Sequence, residues 1–341
     1  GVDSSVAAAL LKQEGREVRG LHFLLPGSLR KEGDRIAPVR RITEHLRIPL
    51  QVVNLHDLFT RHVMEPFADL YLKGLTPNPC VLCNEGIKFD QLLQHADELG
   101  FPYVATGHYA IVRRREETVE LRRGRDRQKE QSYFLHRLGR RHLSRALLPL
   151  GALTKTETRG LALRMGLPSV SEPESQEICF LAGKDYRSFL ESLKGEGIRK
   201  AGDILDREGR RVGGHQGAYR FTIGQRHGLG IASPRPYYVV EIRADANQVV
   251  VGRKEDVYSR KVEAQEAGWI SGEPPGKREG LLAQVRYRHQ AAPGRLQVLS
   301  GGQVTFEFEE PQWAVTPGQA LVFYEGDQVL GGAWIRKAQG A

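Results

Sequence analysis

Two of the three cysteines in the chain form a Cys-x-x-Cys pair directly behind two prolines. Residues 76–84 have the sequence Thr-Pro-Asn-Pro-Cys-Val-Leu-Cys-Asn, so Cys80 and Cys83 lie on a stiff loop that leads into a helix. A thiol at a helix N-terminus can have a pKa well below its usual ~8.5, which gives a nucleophilic thiolate. Three interpretations are open: half of a zinc site, a dithiol redox pair, or a catalytic thiol that works with the distant Cys179. The zinc site lacks a second cysteine pair and would need Cys179 or scattered histidines to complete it.

Cys179 lies in an apolar setting, between Ile178 and Phe180. A lone cysteine in such a run is usually a buried core residue. On the residues alone, a core role and a chemical role for Cys179 both remain open.

The first five residues, Gly-Val-Asp-Ser-Ser, open a predicted helix. Backbone N–H groups at a helix start, together with small hydroxyl side chains, form a cradle for anions such as phosphate. The same residue types also occur as simple helix caps. Because the chain begins with Gly1 and its first residues look like the inside of a motif, we expect the N-terminus to be truncated.

Composition limits the class of protein. The 341 residues are enough for two or three domains, and 50 Lys and Arg against 41 Asp and Glu give a net charge of +9. A basic surplus favours polyanionic partners, with nucleic acid first. The sequence has no apolar run near the ~18 residues of a membrane span, so no membrane is expected as a partner. With so few cysteines, we expect a reducing, cytoplasmic location.

Most of the surplus charge falls on residues 113–145. This segment has twelve Lys and Arg against five Asp and Glu, a net charge of +7. A solvated loop and helix face would explain it. The alternative is a footprint for the phosphates of a nucleic acid, where counterion release makes binding steeply dependent on salt.

Helix and strand patterns alternate in the first half of the chain. Helices are predicted at residues 4–13 and 38–46, and strands at 18–25, 49–55 and 102–109. Thr154 and Glu157 form a capping box that opens another helix, which ends at Gly166 and Pro168. Such alternation predicts an α/β domain with a parallel sheet and ligands at the carboxyl ends of the strands.

Beyond about residue 195 the pattern becomes all-β. Glycines become frequent, and short alternating runs occur at residues 237–242, 248–252, 282–287, 303–309, 320–324 and 329–335. We predict a small β-rich domain followed by a β-barrel. The predicted domains are residues 1–195, 196–258 and 259–341.

Motifs along the whole chain carry a family resemblance. They lie at residues 1–5, 76–88, 105–109, 131–135, 149–151, 175–180, 221–226 and 316–319. In these stretches the chain resembles the bacterial tRNA-uridine 2-sulfurtransferases (tRNA 2-thiouridylases), members of the PP-loop ATP pyrophosphatases. Residues 1–5 match the last five positions of the PP-loop hallmark, Ser-Gly-Gly-x-Asp-Ser-Ser.

The resemblance implies ATP-dependent 2-thiolation of the wobble uridine in lysine, glutamate and glutamine tRNAs. ATP would adenylate the C2 oxygen of the uracil, and a persulfide on Cys179 would carry the incoming sulfur. Cys83 would act as the nucleophile, and the two cysteines would end as a disulfide that needs reduction. The implied ligands and partners are ATP, magnesium, tRNA and a sulfur-donating relay protein or persulfide carrier. No resident metal site is expected.

The resemblance also implies binding residues. The ATP contacts are carried over to Gly1, Asp3, Ser4, Ser5, Phe23 and Gly107. Contact with the target base is carried over to Asn78, Pro79 and Cys80, which keeps Cys80 apart from the sulfur chemistry. The other tRNA contacts are carried over to His108, Lys129, Glu130, Gln131, Arg286, Tyr287 and Gln319. Because Arg286 and Tyr287 lie in the β-rich half, the tRNA is expected to bridge both halves of the chain, with the target uridine unstacked.

Two other functions compete with this interpretation. A PP-loop enzyme that adenylates a carboxylate and forms an amide would need neither Cys83 nor Cys179. A degenerate relative would bind tRNA without catalysis.

Overall fold

A computed structural model describes residues 1–26, 32–116, 118–170, 178–181, 183–276 and 278–340. Its helices are α1 (Val2–Gln13), α2 (Glu32–Leu46), α3 (His56–Phe59), α4 (Glu65–Leu72), α5 (Pro79–Leu82), α6 (Asp90–Glu98), α7 (Arg140–Leu143), α8 (Lys155–Arg164) and α9 (Tyr186–Lys194). Its first eight strands are β1 (Gly20–Leu24), β2 (Leu50–Asn54), β3 (Val104–Ala105), β4 (Ala110–Arg114), β5 (Val119–Arg123), β6 (Ala146–Leu147), β7 (Gly202–Leu205) and β8 (Arg211–His215). The remaining strands are β9 (Tyr238–Arg243), β10 (Gln248–Gly252), β11 (Tyr258–Trp269), β12 (Leu281–Gln284), β13 (Ala292–Val298), β14 (Val304–Trp313), β15 (Ala320–Glu325) and β16 (Gln328–Gly340).

The first part of the chain is α/β with parallel strand pairs, which confirms the predicted fold class. β1 pairs in parallel with β2, and β3 pairs in parallel with β6. The apolar face of α1, including Val6 and Ala9, packs into a core with Ile42 of α2 and Ala162 of α8. This packing holds the first residues of the chain next to the loop that follows β3.

Two predicted elements in this part have different bounds. The helix predicted at residues 38–46 begins six residues earlier, at Glu32, because Pro38 lies inside α2 and does not open it. The strand predicted at residues 102–109 is reduced to β3. After β3 the chain leaves the sheet, and the Tyr109 N–H donates to the side chain of Gln131 (3.0 Å). The capping box is confirmed: the Glu157 N–H donates to Thr154 Oγ1 (3.2 Å), and the Thr154 N–H donates to the Glu157 carboxylate (2.7 Å).

The β-rich half contains a small sheet and a closed barrel, as predicted. The small sheet has the strand order β8-β7-β10-β9 and buries Ile204, Val239 and Val249. The barrel has the order β11-β14-β13-β12-β15-β16 and closes because β11 also pairs with β16. Closure leaves these six strands without an open edge, and Phe306 and Phe323 fill the interior.

An unpredicted hairpin joins the α/β part to the barrel. Strand β4 begins just before the basic segment, residues 113–145, and strand β5 lies within it. For this segment the sequence suggested a solvated loop and helix face. β5 pairs with β16, with Leu121 opposite Val329. Both residues are fully buried in one core cluster with Tyr133 and Val322, so the hairpin fixes the barrel against the first part of the chain.

Within the described ranges, no helix combines the length and apolar character needed to cross a membrane.

Candidate active site

Cys80 and Cys83 lie on one continuous helical segment. Asn78 precedes α5, Pro79 takes its first position, and a π-helical turn, Cys83–Phe89, continues from its end. Cys83 is 6% exposed and Cys80 is half-buried, and both are free thiols. The sequence predicted both cysteines on a loop that leads into a helix, whereas the helix begins at Pro79 and already includes both of them.

Cys179 lies against the same apolar cluster as Cys83. It opens a short 3₁₀ turn, Cys179–Leu181, and is itself exposed. The next residue, Phe180, is buried in the cluster that contains Cys83 and packs edge-on against Phe67, with ring centroids 5.2 Å apart. Residues 175–177 of the predicted motif lie outside the described residues. Although 96 positions separate the two cysteines in the sequence, the fold brings them to one cluster.

The thiols are protonated at neutral pH in this state. Burial raises the pKa of Cys83 to about 12, and it raises the pKa of Cys80 and Cys179 as well. The charge of Cys179 adds to the rise at both other thiols, so each of them lies within electrostatic reach of Cys179. The expectation that the helix start lowers the thiol pKa is wrong here because loss of solvent outweighs it.

Lys88 opposes this effect at all three thiols. Its ammonium lowers the pKa of Cys80, Cys83 and Cys179 and is the largest influence on each after burial. Residues five apart are hydrogen-bonded neighbours in a π-helix, so the turn brings Lys88 to the side of Cys83. Lys88 is half-buried, and no carboxylate in the described part of the chain lies within ion-pair distance of it.

His108 packs against the end of the π-helical turn that begins at Cys83. Its ring stacks on Phe89 with a centroid distance of 6.0 Å, and its Nδ1 lies 2.8 Å from Thr106 Oγ1. Burial, with a further contribution from Lys88, lowers the pKa of His108 well below its usual value. The imidazole is therefore neutral at physiological pH.

The start of α1 forms the predicted cradle. The hydroxyls of Ser4 and Ser5 both donate to the Gly1 carbonyl (3.1 and 2.8 Å), which draws the first turn together. Asp3 accepts from the Lys155 ammonium (2.7 and 2.8 Å) and from the Tyr109 hydroxyl (2.9 Å). Lys155 is the first residue of α8, and its bonds to Asp3 place its ammonium beside the start of α1, where a phosphate would bind.

Gly107 joins the cradle to the thiols. A Cβ atom on Gly107 would lie 2.7 Å from the Asp3 carbonyl carbon and 2.8 Å from the Ser4 nitrogen, so only glycine fits against the start of α1. The next residue is His108, which faces Phe89 and Lys88. Two consecutive residues thus touch the anion cradle and the π-helical turn that begins at Cys83.

Phe23, which was predicted to contact ATP, lies beside the apolar cluster of the thiols. It is a half-buried residue of β1 and packs against the apolar cluster that contains Cys83 and Phe180. Its predicted contact with ATP stays a prediction.

The loop before Cys80 is held by the barrel. Asn78 is 7% exposed, and its side chain lies close enough to the hydroxyl of Tyr133 to lower the pKa of that group. Gln319 of the barrel donates from Nε2 to the carbonyl of Thr76 (2.8 Å). Of the side chains predicted to touch tRNA, Asn78 is therefore buried beside Tyr133, and Gln319 has a bonding partner within the protein.

Lys129, Glu130 and Gln131 were predicted to contact tRNA together, but the side chains of Glu130 and Gln131 bond within the protein. Glu130 is 5% exposed, and its carboxylate accepts from Arg123 (3.0 Å) and from the hydroxyl of Ser132 (2.6 Å). Its side chain points into the protein and would meet tRNA only through its backbone. Gln131 accepts from the Tyr109 N–H and so supports the residue that bonds Asp3.

Arg286 and Tyr287 follow β12 in the barrel and lie beside this triplet. The ring centroids of Tyr287 and Phe134 are 4.3 Å apart. The charges of Glu130 and Lys129 both act on the Tyr287 hydroxyl, whose pKa burial raises. The two predicted tRNA-binding stretches are about 155 positions apart in the sequence, and the fold brings Tyr287 close to Lys129 and Glu130.

Much of the basic segment is engaged within the protein. Seven of its twelve cationic side chains pair with carboxylates in the described chain: Arg115, Arg122, Arg123, Arg125, Arg127, Arg137 and Arg145. The guanidinium of Arg114 donates to backbone carbonyls, including that of Ser144 (2.8 Å). Part of the predicted phosphate footprint therefore stabilises the hairpin and its surroundings.

Sequence reasoning missed Lys88 and Lys155. Lys88 lies five residues after Cys83. In an α-helix, side chains at this spacing point in different directions, so only the π-helical turn shows that Lys88 lies on the side of Cys83. Lys155 directly follows the capping residue Thr154, and its position at a helix start was a usable signal. The described residues contain no group of three or more histidine, cysteine or acidic side chains arranged to hold a metal ion, so they give the zinc interpretation no support.

Family models match three consecutive stretches of the chain. Residues 1–183 match a model described as tRNA methyl transferase HUP domain, and residues 189–253 match the corresponding PRC-barrel domain. Residues 259–335 match a model described as aminomethyltransferase beta-barrel domain.

Curated relatives match the chain over nearly its full length. The tRNA-specific 2-thiouridylase MnmA of Geobacter metallireducens is 46% identical over 351 residues, which cover 99% of this chain and 95% of the relative. The proteins of the same name from Moorella thermoacetica and Syntrophotalea carbinolica are 46% and 45% identical, with 98% of this chain covered in each case and 97% and 96% of the relatives.

Proposed function

Because the chain belongs to the tRNA-specific 2-thiouridylase family, we propose a complete reaction for it, 2-thiolation of the wobble uridine of lysine, glutamate and glutamine tRNAs. The chain is an ATP-using tRNA sulfurtransferase. The observation that carries the proposal is the placement of Cys83 and Cys179 at one cluster, beside the Gly107–His108 segment that also touches the anion cradle.

The first step activates the uracil. Its C2 oxygen attacks the α-phosphorus of ATP, pyrophosphate leaves, and the oxygen becomes part of an adenylate that can depart as AMP. We assign the phosphates to the cradle of Gly1, Asp3, Ser4 and Ser5, with Gly107 closing one side. Phe23 is assigned to the nucleotide. The helix start and the nearby Lys155 ammonium favour negative charge at this place.

The second step transfers sulfur. The terminal sulfur of a persulfide on Cys179 attacks C2 and AMP leaves, which joins the base to Cys179 through a disulfide. Cys83 then attacks Cys179 Sγ, the S–S bond to the base breaks, the proton of the Cys83 thiol passes to the departing base, and 2-thiouridine is released. Cys83 and Cys179 end as a disulfide. An exposed Cys179 suits loading by a sulfur-donating relay protein or persulfide carrier, and a buried Cys83 suits a step sheltered from water.

Binding of tRNA is assigned to both halves of the molecule. We propose that Asn78, Pro79 and Cys80 lie against the flipped target base, and that His108, Lys129, Gln131, Arg286 and Tyr287 contact the surrounding tRNA. For Glu130 and Gln319 we propose an indirect part, because their side chains bond within the protein. The hairpin that joins barrel and α/β part supports a surface that reaches across both.

Magnesium would accompany the ATP phosphates. Asp3 is the carboxylate of the cradle, and it is held by Lys155 and Tyr109 in this structure. We therefore propose that Mg²⁺, which keeps several waters and prefers phosphate oxygens, is carried mainly by the nucleotide. Because the reaction needs reducible thiols, we propose a cytoplasmic setting.

The thiol cluster separates this function from its alternatives. The family model's description mentions methyl transfer, but neither methyl transfer nor amide formation requires two thiols beside a nucleotide cradle. A tRNA-binding relative without catalysis would not require the cradle.

The test is a reaction with tRNA, ATP and a persulfide donor, followed by mass analysis of the tRNA nucleosides. We expect 2-thiouridine with matching release of AMP and pyrophosphate. Binding of tRNA without pyrophosphate release would support the degenerate relative, and pyrophosphate release without 2-thiouridine would refute thiolation.

A further inference from the structure

Building on the proposed function, we propose that Cys80 is a resolving thiol. It attacks Cys83 Sγ in the Cys83–Cys179 disulfide left by sulfur transfer, frees Cys179, and leaves a Cys80–Cys83 disulfide. An external dithiol then reduces this second disulfide. The sequence interpretation gave Cys80 a contact with the target base and no part in sulfur chemistry.

The positions of Cys80 and Cys83 allow such a bond. The backbone remains α-helical through α5 and into Cys83, which has φ −62° and ψ −42°. Residues three apart on a helix have Cβ atoms roughly 5–6 Å apart, and a disulfide needs roughly 3.5–4.5 Å. A closure of about 1.5 Å is therefore sufficient, at a helix only four residues long.

The three thiols also influence one another's pKa values. The charge of Cys179 acts on Cys80 and on Cys83, and Cys80 acts on Cys83. Cys80 also lies on the same helical segment as Cys83, three residues before it, so it can approach the Cys83 end of such a disulfide. Its half-buried position, beside a Cys83 that is 6% exposed, makes it the accessible neighbour of the buried sulfur.

The direction of exchange follows from the leaving thiolate. Attack on Cys83 Sγ expels Cys179, whereas attack on Cys179 Sγ would expel the buried Cys83, whose pKa burial raises to about 12. In thiol–disulfide exchange the thiol with the lower pKa leaves faster. Burial of the thiol also raises the pKa of Cys179, but the Lys88 ammonium and the backbone N–H groups of Cys179 and Phe180 oppose this rise and stabilise its thiolate. Cys179 is also the exposed cysteine of the pair, whereas Cys83 is 6% exposed.

The exchange is balanced. The Cys80 thiol gives up its proton, the Cys80–Cys83 S–S bond forms, the Cys83–Cys179 bond breaks, and Cys179 takes up a proton. No net oxidation occurs at this step. The dithiol supplies two electrons and two protons afterwards and becomes a cyclic disulfide. Cys179 is thus ready for a new persulfide before the buried pair has been reduced.

The test maps disulfides by mass after a single turnover of persulfidated enzyme with tRNA and ATP, quenched with acid and N-ethylmaleimide. Trypsin places Cys80 and Cys83 in one peptide, residues 74–88, and Cys179 in another, residues 165–184. We expect the internal disulfide of the first peptide to exceed the cross-link between the two at least tenfold, with Cys179 alkylated. In Cys80→Ser only the cross-link can form, and its reduction by dithiothreitol should regenerate activity about tenfold more slowly.

A persistent cross-link in the wild-type chain, with 2-thiouridine formed in the same sample, would overturn the role of Cys80 and leave the proposed function standing. Absence of 2-thiouridine would instead refute the proposed function. A second arm tests the exchange without tRNA: the reduced chain is oxidised with one equivalent of diamide and equilibrated. The internal disulfide should again predominate at least tenfold, and a predominant cross-link would contradict the inference.

Discussion

Gln319 of the barrel donates a 2.8 Å hydrogen bond to the carbonyl of Thr76, 243 residues earlier in the chain. The Thr76 N–H in turn donates to the Pro317 carbonyl (2.8 Å). Gly318 lies so close that a Cβ atom there would be 2.9 Å from the Thr76 nitrogen. The barrel therefore holds the loop that leads into Cys80 and Cys83, in addition to any surface it offers to tRNA.

Replacing Gln319 should lower turnover more than tRNA binding. Gln319→Leu keeps the approximate size but removes the donor, and the loss of one hydrogen bond worth ~1 kcal/mol predicts about a fivefold lower kcat. The KM for tRNA should stay within about twofold. The measurement is steady-state formation of 2-thiouridine.

Gln303→Leu serves as the matched control, since Gln303 is exposed in the barrel. A higher KM with unchanged kcat in Gln319→Leu would instead make Gln319 a direct tRNA contact.

Lys88 should control the reactivity of the thiols. Lys88→Met removes the cation that lowers the pKa of Cys179, so the thiolate fraction at a given pH should fall. The rate of Cys179 alkylation by iodoacetamide should drop about tenfold at pH 8, and its pH profile should move to higher pH. Peptide mass analysis measures this without any turnover.

Lys88→Arg should restore most of the alkylation rate, and Lys73→Met, at an exposed lysine at the end of α4, should leave it unchanged. If the alkylation profile in Lys88→Met matches that of the wild type, the electrostatic role is wrong.

Binding of tRNA should depend on salt through the surface of the hairpin. Lys129→Ala should weaken binding of every substrate tRNA and reduce the slope of log Kd against log salt by about 1. Six to ten phosphate contacts would lower affinity by ~10³–10⁵ between 50 and 200 mM salt, and the internal pairing of seven arginines favours the lower end. Filter binding over a salt series measures both quantities.

Lys261→Ala, at an exposed position on β11, provides the control for loss of one charge. If the Kd of the wild-type chain for tRNA does not change with salt, the basic segment does not bind the phosphates of the tRNA.

Asn78 should act on turnover. Asn78→Ala removes the amide that we assign to the target base, together with its contact with Tyr133, so kcat should fall at least tenfold while the Kd for tRNA changes little. Equal losses in kcat and in tRNA affinity would contradict the assignment.

Acid should destabilise the junction between the hairpin and the barrel through His136. This residue is 2% exposed and lies against Gly332 of β16, and burial lowers its pKa from 6.5 to about 4. The unfolded chain therefore binds the proton first, so stability falls as the pH drops from 6.5 towards 4, by about 3 kcal/mol in total. Urea unfolding between pH 7 and pH 4.5 measures the loss.

His136→Gln should be less stable at pH 7 but should lose less stability on acidification. A residual slope is expected from His108, whose pKa is lowered in the same direction. An unchanged pH dependence in His136→Gln would show that His136 does not titrate as described.

The sequence predicted those parts of the fold that depend on local pattern. Alternating apolar residues predicted the barrel strands, and Thr154 with Glu157 predicted the start of α8. The hairpin of β4 and β5 was missed because its basic residues conceal the buried Leu121, and because its partner β16 lies about 200 residues later. Contacts at that separation leave no local signal.

The candidate site was predicted in the same uneven way. Motifs pointed to Cys83, Cys179 and Gly107 as candidate site residues, and their assigned roles stay predictions. They could not show that Glu130 bonds Arg123, that Gln319 bonds Thr76, or that a π-helical turn brings Lys88 to the thiols. Each of these depends on packing between distant segments or on a departure from α-helical geometry.

The central claim is that Cys83 and Cys179 share one sulfur-transfer reaction, and a single-turnover experiment tests it directly. Persulfidated wild type, Cys83→Ser and Cys179→Ser are each mixed with tRNA and ATP, and 2-thiouridine is measured by nucleoside mass analysis. The wild type should form up to one 2-thiouridine per chain, Cys83→Ser should retain sulfur on Cys179 without releasing product, and Cys179→Ser should neither hold the persulfide nor form product. Wild-type yields of 2-thiouridine from either variant would contradict the account.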